Sequence, residues 1–345
     1  MPAFDLPVAQ LREYRSSVAE PEDLLLFWEE TLSTARTAGR PPHLLPVQNS
    51  LRLVDTYDLT FSGFAGEPVR GWLHRPAGVP DPLPAVVRFV GYNCGRGLSH
   101  VVSPLVLAGY AVVTMDNRGQ GALAAYRGDT PDSGDLLREL SGHVCRGALR
   151  PETYFYRRLF TDAVMAVEAT RLLPGIDPAR LAIQGGSQGG GIALAVAGLV
   201  EGLSAAMIDV PFFCDLPRAL DLATEPPYSE LATLLASYPD KVAQVLRTLS
   251  YFDGSVLAAH GRAPALFSVG LMDTVCPPST VYAAYNAYAA PKELFVYPFN
   301  GHEGGSFNHE AAQLTWLTAM LPIDPHPSVR SSTSVSGRPT TAQHD

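Results

Sequence analysis

The sequence predicts an α/β fold built on a doubly wound, mostly parallel sheet. Short, mostly apolar runs bounded by Gly, Pro or Asp recur through the middle of the chain, and such runs are typical of strands buried on both faces of a parallel sheet. Helical patterns lie between these runs, and this alternation of strand and helix favours a doubly wound sheet. Because ligands bind beyond the carboxyl ends of the strands in such sheets, we expect the functional side chains there.

The N-terminal part of the chain, residues 1–45, is predicted to be a helical extension. Its main helix is indicated by the apolar-periodic stretch Leu24–Thr37, which follows a Pro-Glu-Asp helix start. The next two segments, Leu51–Phe61 and Pro68–His74, alternate apolar and polar residues and predict a pair of antiparallel strands. These strands open the α/β domain, for which we predict residues 46–322.

Six further runs predict the buried strands of the sheet: Ala85–Val90, Ala111–Met115, Leu181–Gln184, Ala205–Val210, Ala265–Val269 and Leu294–Tyr297. Three helical patterns lie between them: Tyr154–Leu173, Gln188–Leu199 and Ser279–Ala289. Residues 213–257 interrupt the alternation with helical and Pro-rich sequence, so we expect an insertion that covers the site. Residues 323–345 are rich in Ser, Thr and Pro, lack apolar periodicity and predict a disordered tail.

Composition restricts the class of protein. Of the 345 residues, 46% are hydrophobic and 17% are charged, which is enough apolar material for a large core. The net charge of −9 disfavours nucleic acid and anionic membranes as partners, because both repel an acidic surface. No secretory signal or membrane-spanning stretch is apparent, and the four scattered cysteines predict reduced thiols. We therefore expect a cytoplasmic protein.

A G-x-S-x-G motif lies between a predicted strand and a predicted helix, in the segment Leu181–Gly191. A serine hydroxyl attacks poorly unless it is presented to a base, and a tight strand-to-helix turn would lift Ser187 above the sheet. Glycines at 185 and 189 would avoid clashes in that turn, and the N-terminus of the following helix favours a developing oxyanion. The flanking elements therefore predict the nucleophile of an α/β-hydrolase fold rather than a glycine-rich packing turn.

The base and the acid are predicted from the chain order of this fold, in which a carboxylate and then a histidine follow the serine, each after a strand. Asp273 and His302 follow the last two predicted strands, so His302 is predicted to be the general base and Asp273 the acid that orients it. Asp209, at the end of another predicted strand, remains an alternative acid. His309 is expected to be an exposed residue of the C-terminal helix. Glu303 is expected to cap that helix or to hold the His302 loop.

The oxyanion hole is predicted from two backbone N–H groups. One belongs to Gln188, the residue after the nucleophile, and the other to Tyr92 in the Gly-rich loop 91–97. A Gly-rich loop also suggests phosphate binding, but the phosphate and dinucleotide motifs G-x-x-x-x-G-K-[ST] and G-x-G-x-x-G are absent from the βα contexts. No metal-ligand spacing is apparent either. We therefore expect neither a cofactor nor a metal.

Taken together, several segments resemble the acetyl xylan esterase/cephalosporin C deacetylase group, carbohydrate esterase family seven. The resemblance extends from residue 1 to about residue 320 and includes an R-G-Q signature at Arg118-Gly119-Gln120, the G-G-S-Q-G-G turn and the His302-Glu303 pair. It implies the same triad and the same oxyanion donors that the topology selects. The chain departs from the family pattern at Cys94, where glycine is usual, and between Ser133 and Cys145.

The resemblance also implies features of the pocket and of the assembly. Matching segments imply that Phe212, Pro227 and Val275 line a narrow acyl pocket, which would favour acetyl groups, and that Tyr92 also binds the substrate. The Arg118-Gly119-Gln120 signature would support the loops around the site. Members of this family are intracellular and generally form hexamers whose active sites face an inner cavity. Short acetylated sugars and small esters would then be substrates, and polymeric xylan would be excluded.

We therefore predict a serine esterase that removes acetyl groups from small oxygen esters through an acetyl-enzyme intermediate. Acetylated xylo-oligosaccharides and cephalosporin C-like compounds are the expected substrates. Three alternatives are a general short-chain carboxylesterase, a peptidase of the same fold and a non-catalytic binding protein on the same scaffold. The sequence contains no propeller or large accessory domain, which disfavours the peptidase. All three triad residues are present, which disfavours the binding protein.

Overall fold

The computed structural model describes residues 5–122, 124–132 and 142–323. Nine strands of this part of the chain form one sheet: β1 (His43–Pro46), β2 (Val54–Ser62), β3 (Pro68–Pro76), β4 (Leu83–Phe89), β5 (Ala111–Met115), β6 (Ile176–Gly186), β7 (Ala205–Asp209), β8 (Ala265–Gly270) and β9 (Lys292–Tyr297). Across the sheet they lie in the order β1-β2-β3-β5-β4-β6-β7-β8-β9. The order reverses at β4 and β5, as it does in doubly wound sheets.

The sheet is parallel over most of its width. β4 pairs in parallel with both β5 and β6, and β6, β7, β8 and β9 continue in parallel. β1, β2, β3 and β5 pair antiparallel in turn, which makes one edge of the sheet antiparallel. The predicted mostly parallel sheet and the predicted antiparallel pair of β2 and β3 are therefore confirmed.

The edge strand β1 was not predicted from the sequence. It contains four mostly exposed residues, and so short a run carries little periodicity. It pairs with the stretch Tyr57–Thr60 of β2. The predicted limit of the N-terminal extension, residue 45, falls inside this strand.

Eleven helices of the described chain accompany the sheet: α1 (Val8–Leu11), α2 (Leu24–Ala38), α3 (Pro104–Leu107), α4 (Phe155–Arg171), α5 (Gln188–Leu199), α6 (Leu216–Leu222), α7 (Tyr228–Ser237), α8 (Val242–Ser250), α9 (Gly254–Leu257), α10 (Pro278–Ala287) and α11 (Ser306–Met320). The larger core includes apolar side chains of α2, α4, α5 and α10. A smaller core on the other face packs the sheet residues Val86, Ala182 and Met207 with Leu105 of α3 and Leu317 of α11. The two cores bury both faces of the central strands, which explains their continuous apolar runs.

The segment between β7 and β8 contains α6 to α9 and contacts the N-terminal residues. The carboxylate of Asp5 accepts a hydrogen bond from Arg218 of α6 at 2.9 Å. At the other end of the segment, the Trp28 indole donates to the carbonyl oxygen of Tyr251 at 3.1 Å. The N-terminal residues therefore hold the predicted insertion at both ends.

Two predictions concern residues outside the described part of the chain. The predicted tail is described only at residue 323, and most of the stretch that departs from the family pattern, residues 133–141, is likewise outside it. Within the described ranges, no helix combines the length and the apolar character needed to cross a membrane.

Candidate active site

The turn between β6 and α5 presents Ser187 at the carboxyl edge of the sheet. Ser187 has φ 58° and ψ −123°, a conformation that residues other than glycine rarely adopt and that is typical of a strained nucleophile turn. A methyl group on Gly185 would lie 2.0 Å from the Gly189 carbonyl oxygen, and one on Gly189 would lie 2.3 Å from the Phe89 carbonyl oxygen. The backbone therefore closes tightly around the serine, and α5 begins at the next residue, Gln188.

Ser187, His302 and Asp273 form a continuous chain of hydrogen bonds. Nε2 of His302 lies 2.8 Å from Oγ of Ser187, and Nδ1 lies 2.9 Å from Oδ2 of Asp273. Because an ionised carboxylate only accepts hydrogen bonds, Nδ1 carries a proton and Nε2 accepts from the serine hydroxyl. The side chain of Asp273 is fully buried, whereas that of His302 is 31% exposed. The three residues thus have the arrangement of a nucleophile, a base and an orienting acid.

The loop after β8 fixes the carboxylate of Asp273. The backbone N–H groups of Val275 and Cys276 each donate to Oδ1 of Asp273 at 2.8 Å, which leaves Oδ2 for His302. These hydrogen bonds restrain the rotation of the Asp273 carboxylate.

Glu303 holds the loop that carries His302. Its exposed carboxylate accepts hydrogen bonds from the Asn300 side chain at 2.9 Å and from the Gly301 N–H at 3.1 Å. The hydrogen bond from its own backbone N–H, followed by that from Asn300, lowers the pKa of Glu303. The structure therefore favours the loop-holding alternative for this residue.

Asp209, the alternative acid, belongs to a different network. Its carboxylate accepts hydrogen bonds from Nε2 of His309 at 2.8 Å and from Gln313 at 2.6 Å. His309 is only 3% exposed, and its Nδ1 lies 3.0 Å from the Tyr297 hydroxyl. The prediction of an exposed His309 is therefore wrong, because α11 packs this residue against the end of β7. The carboxylate beside His302 is that of Asp273.

A hydrogen bond connects the two segments that carry the predicted oxyanion donors. The Gln188 side chain donates to the Gly91 carbonyl oxygen at 3.3 Å and so connects the residue after Ser187 to the loop that carries Tyr92. The N–H of Gln188 has no intrahelical acceptor because it is the first residue of α5. The N–H of Tyr92 donates to no residue that the structure describes. Both groups are available to a ligand.

Gln120 and Tyr156 brace this junction. Oε1 of Gln120 accepts from the Asn93 N–H at 2.7 Å, and its Nε2 donates to Oε1 of Gln188 at 3.2 Å. The Tyr156 hydroxyl donates to the same oxygen of Gln188 at 2.9 Å. Gln120 thus lies where a residue that supports the oxyanion loop is expected, whereas Tyr156 was not singled out from the sequence.

Arg118 is fully buried and contacts three carboxylates. It pairs with Asp162 of α4 through two hydrogen bonds of 2.5 and 2.7 Å, with Glu67 at 2.7 Å and with Asp132 at 3.3 Å. Although burial opposes the charge, Asp162 and the other carboxylates raise the pKa of Arg118. The next residue, Gly119, has φ 68°, which favours glycine there. This cluster joins the β2–β3 turn, α4 and the loop at 132 behind the site.

The side chain of Tyr92 is hydrogen-bonded to a residue that was not singled out from the sequence. Its hydroxyl donates to Oε2 of Glu230 at 2.8 Å, and the Gly142 N–H donates to the same oxygen at 2.9 Å. Burial, followed by the hydrogen bond and charge of Glu230, raises the pKa of Tyr92. Glu230 lies on α7, so the insertion directly contacts the loop of one predicted oxyanion donor.

Of the predicted pocket residues, Phe212 contacts the nucleophile turn directly. The Phe212 N–H donates to the Ser187 carbonyl oxygen at 2.9 Å, and the Phe212 ring lies 4.7 Å from that of Tyr228, centroid to centroid. Pro227 is buried and immediately precedes Tyr228 at the start of α7. Val275 is half-buried beside the triad acid.

One group of possible metal ligands coincides with the triad. Ligand atoms of Asp273, Cys276 and His302 all lie within 4.8 Å of one another. Asp273 and His302 are already hydrogen-bonded to each other, and burial keeps the pKa of Cys276 well above its usual range. A metal ion bound by Asp273 and His302 would compete with the hydrogen bond between them.

Comparisons with known proteins agree on one family. The acetyl xylan esterase (AXE1) family pattern matches residues 1–320. A curated relative, the acetyl esterase Axe7A of Xylanibacter ruminicola, is 26% identical over 317 residues. That match covers 86% of this chain and 66% of the relative, so the chain spans about two thirds of the length of Axe7A.

Two solved structures are similar over nearly their whole length. The acetyl xylan esterase from Paenibacillus sp. R4 is 34% identical with a TM-score of 0.83, and the match covers 91% of this chain and 99% of that one. Acetyl xylan esterase 1 from Thermoanaerobacterium sp. JW/SL YS485 is 33% identical with a TM-score of 0.81, and the match covers 92% of this chain and 99% of that one.

Proposed function

The chain belongs to the acetyl xylan esterase family and has its α/β-hydrolase fold, and we propose that it is a serine esterase that removes acetyl groups from small oxygen esters. The observation that carries the proposal is the hydrogen-bonded chain from Ser187 through His302 to Asp273. A serine hydroxyl activated in this way attacks carbonyl carbon, and a complete triad favours an enzyme over a binding protein.

The reaction follows from the roles of these side chains. His302 Nε2 takes the proton of Ser187 as the serine oxygen bonds to the acetyl carbonyl carbon, and Asp273 stabilises the imidazolium that forms. The N–H groups of Tyr92 and Gln188 bind the oxyanion. His302 then gives its proton to the departing alcohol, which leaves an acetyl group on Ser187. Water, deprotonated by the same histidine, releases acetate and restores the serine.

Acetyl preference is proposed by resemblance to the family, and the contacts of Phe212 support it. Phe212 is buried, is hydrogen-bonded to the backbone of Ser187 and packs on Tyr228. With Pro227 and Val275 it would form a short acyl pocket, in which longer chains would require side chains to move. Acetylated xylo-oligosaccharides are the substrates that the family favours, and cephalosporin C-like esters share the same acetyl group.

A hexamer in the cytoplasm is also proposed, by resemblance to the family. Several large apolar side chains are exposed on the single chain, among them Phe299, Leu53 and Leu107, and contacts between subunits would cover such residues. Light scattering of the purified chain tests this: a mass of six chains supports the proposal, and a monomer contradicts it.

Acyl-length profiling with a Ser187 variant tests the function. We expect p-nitrophenyl acetate to be hydrolysed faster than the butyrate, with no cleavage of a peptide anilide, and we expect Ser187→Ala to lower kcat by roughly a factor of 10⁴ to 10⁶, as in other serine triads. Circular dichroism of the variant serves as the folding control. Near-normal acetate hydrolysis by Ser187→Ala would remove the mechanism, and faster butyrate hydrolysis would favour a general short-chain carboxylesterase.

A further inference from the structure

A cavity of about 410 Å³ lies between the sheet and α11, at the carboxyl ends of the central strands. Its wall includes Gly91, Gly186 and Glu303, which are sequence neighbours of Tyr92, Ser187 and His302. The cavity thus adjoins three of the four segments that carry the proposed chemistry, although no triad side chain lines it. Its volume lies in the range of small-molecule sites.

The floor of the cavity is a row of polar side chains on four adjacent strands. Arg88 of β4 is in register with Thr114 of β5 and with Gln184 of β6. Asp209 of β7, which pairs with Gly186 two residues after Gln184, also lines the cavity. Two residues earlier on the same strands, the smaller core is apolar, as at Val86. A stripe of polar residues on an otherwise apolar sheet face indicates a requirement other than packing.

Two polar groups in this row lack partners. Gln184 donates to Gln313 at 2.9 Å, but its Oε1 is buried and accepts no hydrogen bond. Arg88, which is half-buried, makes no hydrogen bond or ion pair with any residue that the structure describes. Burial lowers the pKa of the Arg88 guanidinium, and the Glu310 carboxylate offsets part of that effect. An unpaired buried oxygen such as that of Gln184 is costly. Arg88 has unused N–H donors, so the two side chains together are suited to a ligand that supplies an acceptor and a donor.

The surrounding charges favour a neutral ligand over an anion. The carboxylates of Asp209, Glu303 and Glu310 also line the cavity, and they would repel an anion at Arg88. The other cation in the wall, Arg96, is already paired with carboxylates. A simple carboxylate such as acetate, moreover, has no proton to donate to the Gln184 oxygen. A polyhydroxyl compound both donates and accepts hydrogen bonds.

Aromatic side chains at the rim fit one class of polyhydroxyl compound. Tyr126 and Phe307 line the cavity and are 55% and 82% exposed. A sugar ring presents hydroxyl groups at its edge and C–H groups on its faces, so the faces can pack on aromatic rings while the edge reaches polar side chains. A linear polyol lacks such a face.

We propose that this cavity binds a sugar unit of the acetylated substrate, with Arg88 donating to a sugar oxygen and a sugar hydroxyl donating to Gln184. The proposal rests on the proposed function, because it assigns the alcohol part of the same ester. It extends that function by separating the acyl side, near Phe212, from a sugar side between the sheet and α11.

The first test measures binding without chemistry. The full chain carrying Ser187→Ala is titrated calorimetrically with xylobiose, which has no acetyl group. Adding Arg88→Met should raise the Kd about tenfold or more, the usual loss for a hydrogen bond to a charged group. Adding Tyr126→Ala should raise the Kd for xylobiose several-fold. Because Tyr126 is an exposed residue at the rim, such a rise would not reflect misfolding. Arg262→Met, which removes an exposed arginine paired with Glu201, is the matched control and should leave the Kd unchanged.

The second test separates the sugar site from the esterase activity. For Arg88→Met with Ser187 intact, kcat/KM on acetylated xylobiose should fall about tenfold more than kcat/KM on p-nitrophenyl acetate, chiefly through KM. Failure of the proposed function would appear as no hydrolysis of either ester by the parent chain, while the titration would still report the sugar site. Any of three results would overturn the proposal. These are no binding of xylobiose, a Kd for xylobiose that Arg88→Met and Tyr126→Ala leave unchanged, or Arg88-dependent binding of acetate in place of xylobiose.

Discussion

Gly185 and Gly186 are adjacent in the nucleophile turn but differ in what a methyl group would meet. At Gly185 the nearest atoms are backbone atoms of Gly189 and Gly190, at 2.0 to 2.9 Å, whereas at Gly186 the nearest is Cβ of Asp209 at 3.7 Å, an ordinary contact. We expect Gly185→Ala to destabilise the fold by at least about 2 kcal/mol, because backbone atoms cannot move aside as side chains do. Gly186→Ala should be tolerated.

Urea unfolding of the two variants, with p-nitrophenyl acetate kinetics, measures this difference. The Gly185 variant should also lose most of its activity, since the turn sets the position of Ser187. Equal stability of the two variants would show that the turn is looser than the structure indicates.

At the residue scale, the sequence was most informative where chemistry and chain order coincide. Ser187, Asp273 and His302 were selected because each follows a predicted strand, and the structure brings them within hydrogen-bonding distance. His309 was predicted wrongly, because helical periodicity does not show that a polar residue faces a polar stripe of the sheet. That Arg88 makes no hydrogen bond or ion pair with a described residue could not be predicted from the sequence, because it depends on how neighbouring strands are arranged in the sheet.

At the scale of elements, α7 acts on the oxyanion loop through Glu230. Replacing Glu230 by Ala leaves the Tyr92 hydroxyl and the Gly142 N–H without their acceptor, and unpaired buried groups cost about 1 to 3 kcal/mol each. We expect the Tyr92 loop to shift and kcat for p-nitrophenyl acetate to fall about tenfold, with a smaller change in KM.

Glu230→Gln, which keeps an acceptor oxygen, should recover part of that kcat. Glu225→Ala, at an exposed glutamate of the same insertion, is the control and should behave like the parent chain. If Glu230→Ala retains the parent kcat, the insertion does not position the loop.

Elements with strong periodicity were predicted well, and those defined by distant contacts were not. The helix from Gln188 to Leu199 has the predicted bounds, because a long apolar run between glycines is unambiguous. β1 was missed because its four residues pair with a strand that begins eight residues after it ends. Likewise, Glu230 lies 138 positions from Tyr92, and nothing local marks such a contact.

At the scale of the molecule, the cluster around Arg118 predicts sensitivity to acid. Although burial opposes it, the hydrogen bonds and charges of Arg158 and Arg118 lower the pKa of Asp132 to about 2, from an ordinary value near 4. A carboxylate with a lowered pKa in the folded state stabilises the protein above its unfolded-state pKa. That stabilisation, about 2 kcal/mol, is lost as the pH falls from about 4 to about 2.

Urea unfolding at a series of pH values tests this contribution. The parent chain should lose stability between pH 4 and pH 2, and Asp132→Asn should be less stable than the parent at pH 6 yet show a flatter dependence below pH 4. Parallel curves for the two proteins would mean that Asp132 does not carry the effect.

The overall architecture followed from the sequence because alternating apolar runs and helical patterns leave few topologies open. The family resemblance, confirmed by the match over residues 1–320, added the site residues that topology alone does not name. The position of the N-terminal residues against the insertion was not foreseen. It depends on side-chain contacts between segments more than 200 positions apart, such as Asp5 with Arg218.

Those contacts make the beginning of the chain matter to catalysis. Asp5 also accepts a hydrogen bond from the backbone of Ser279 at 2.6 Å, three residues after Cys276, whose N–H restrains the triad acid. The Tyr14 hydroxyl donates to Asp215 beside α6. Deleting the first fifteen residues, or fusing a tag to them, would thus loosen the loop that carries Asp273, although neither change alters a residue of that loop. The position of a tag in the recombinant protein should therefore affect its activity as well as its purification.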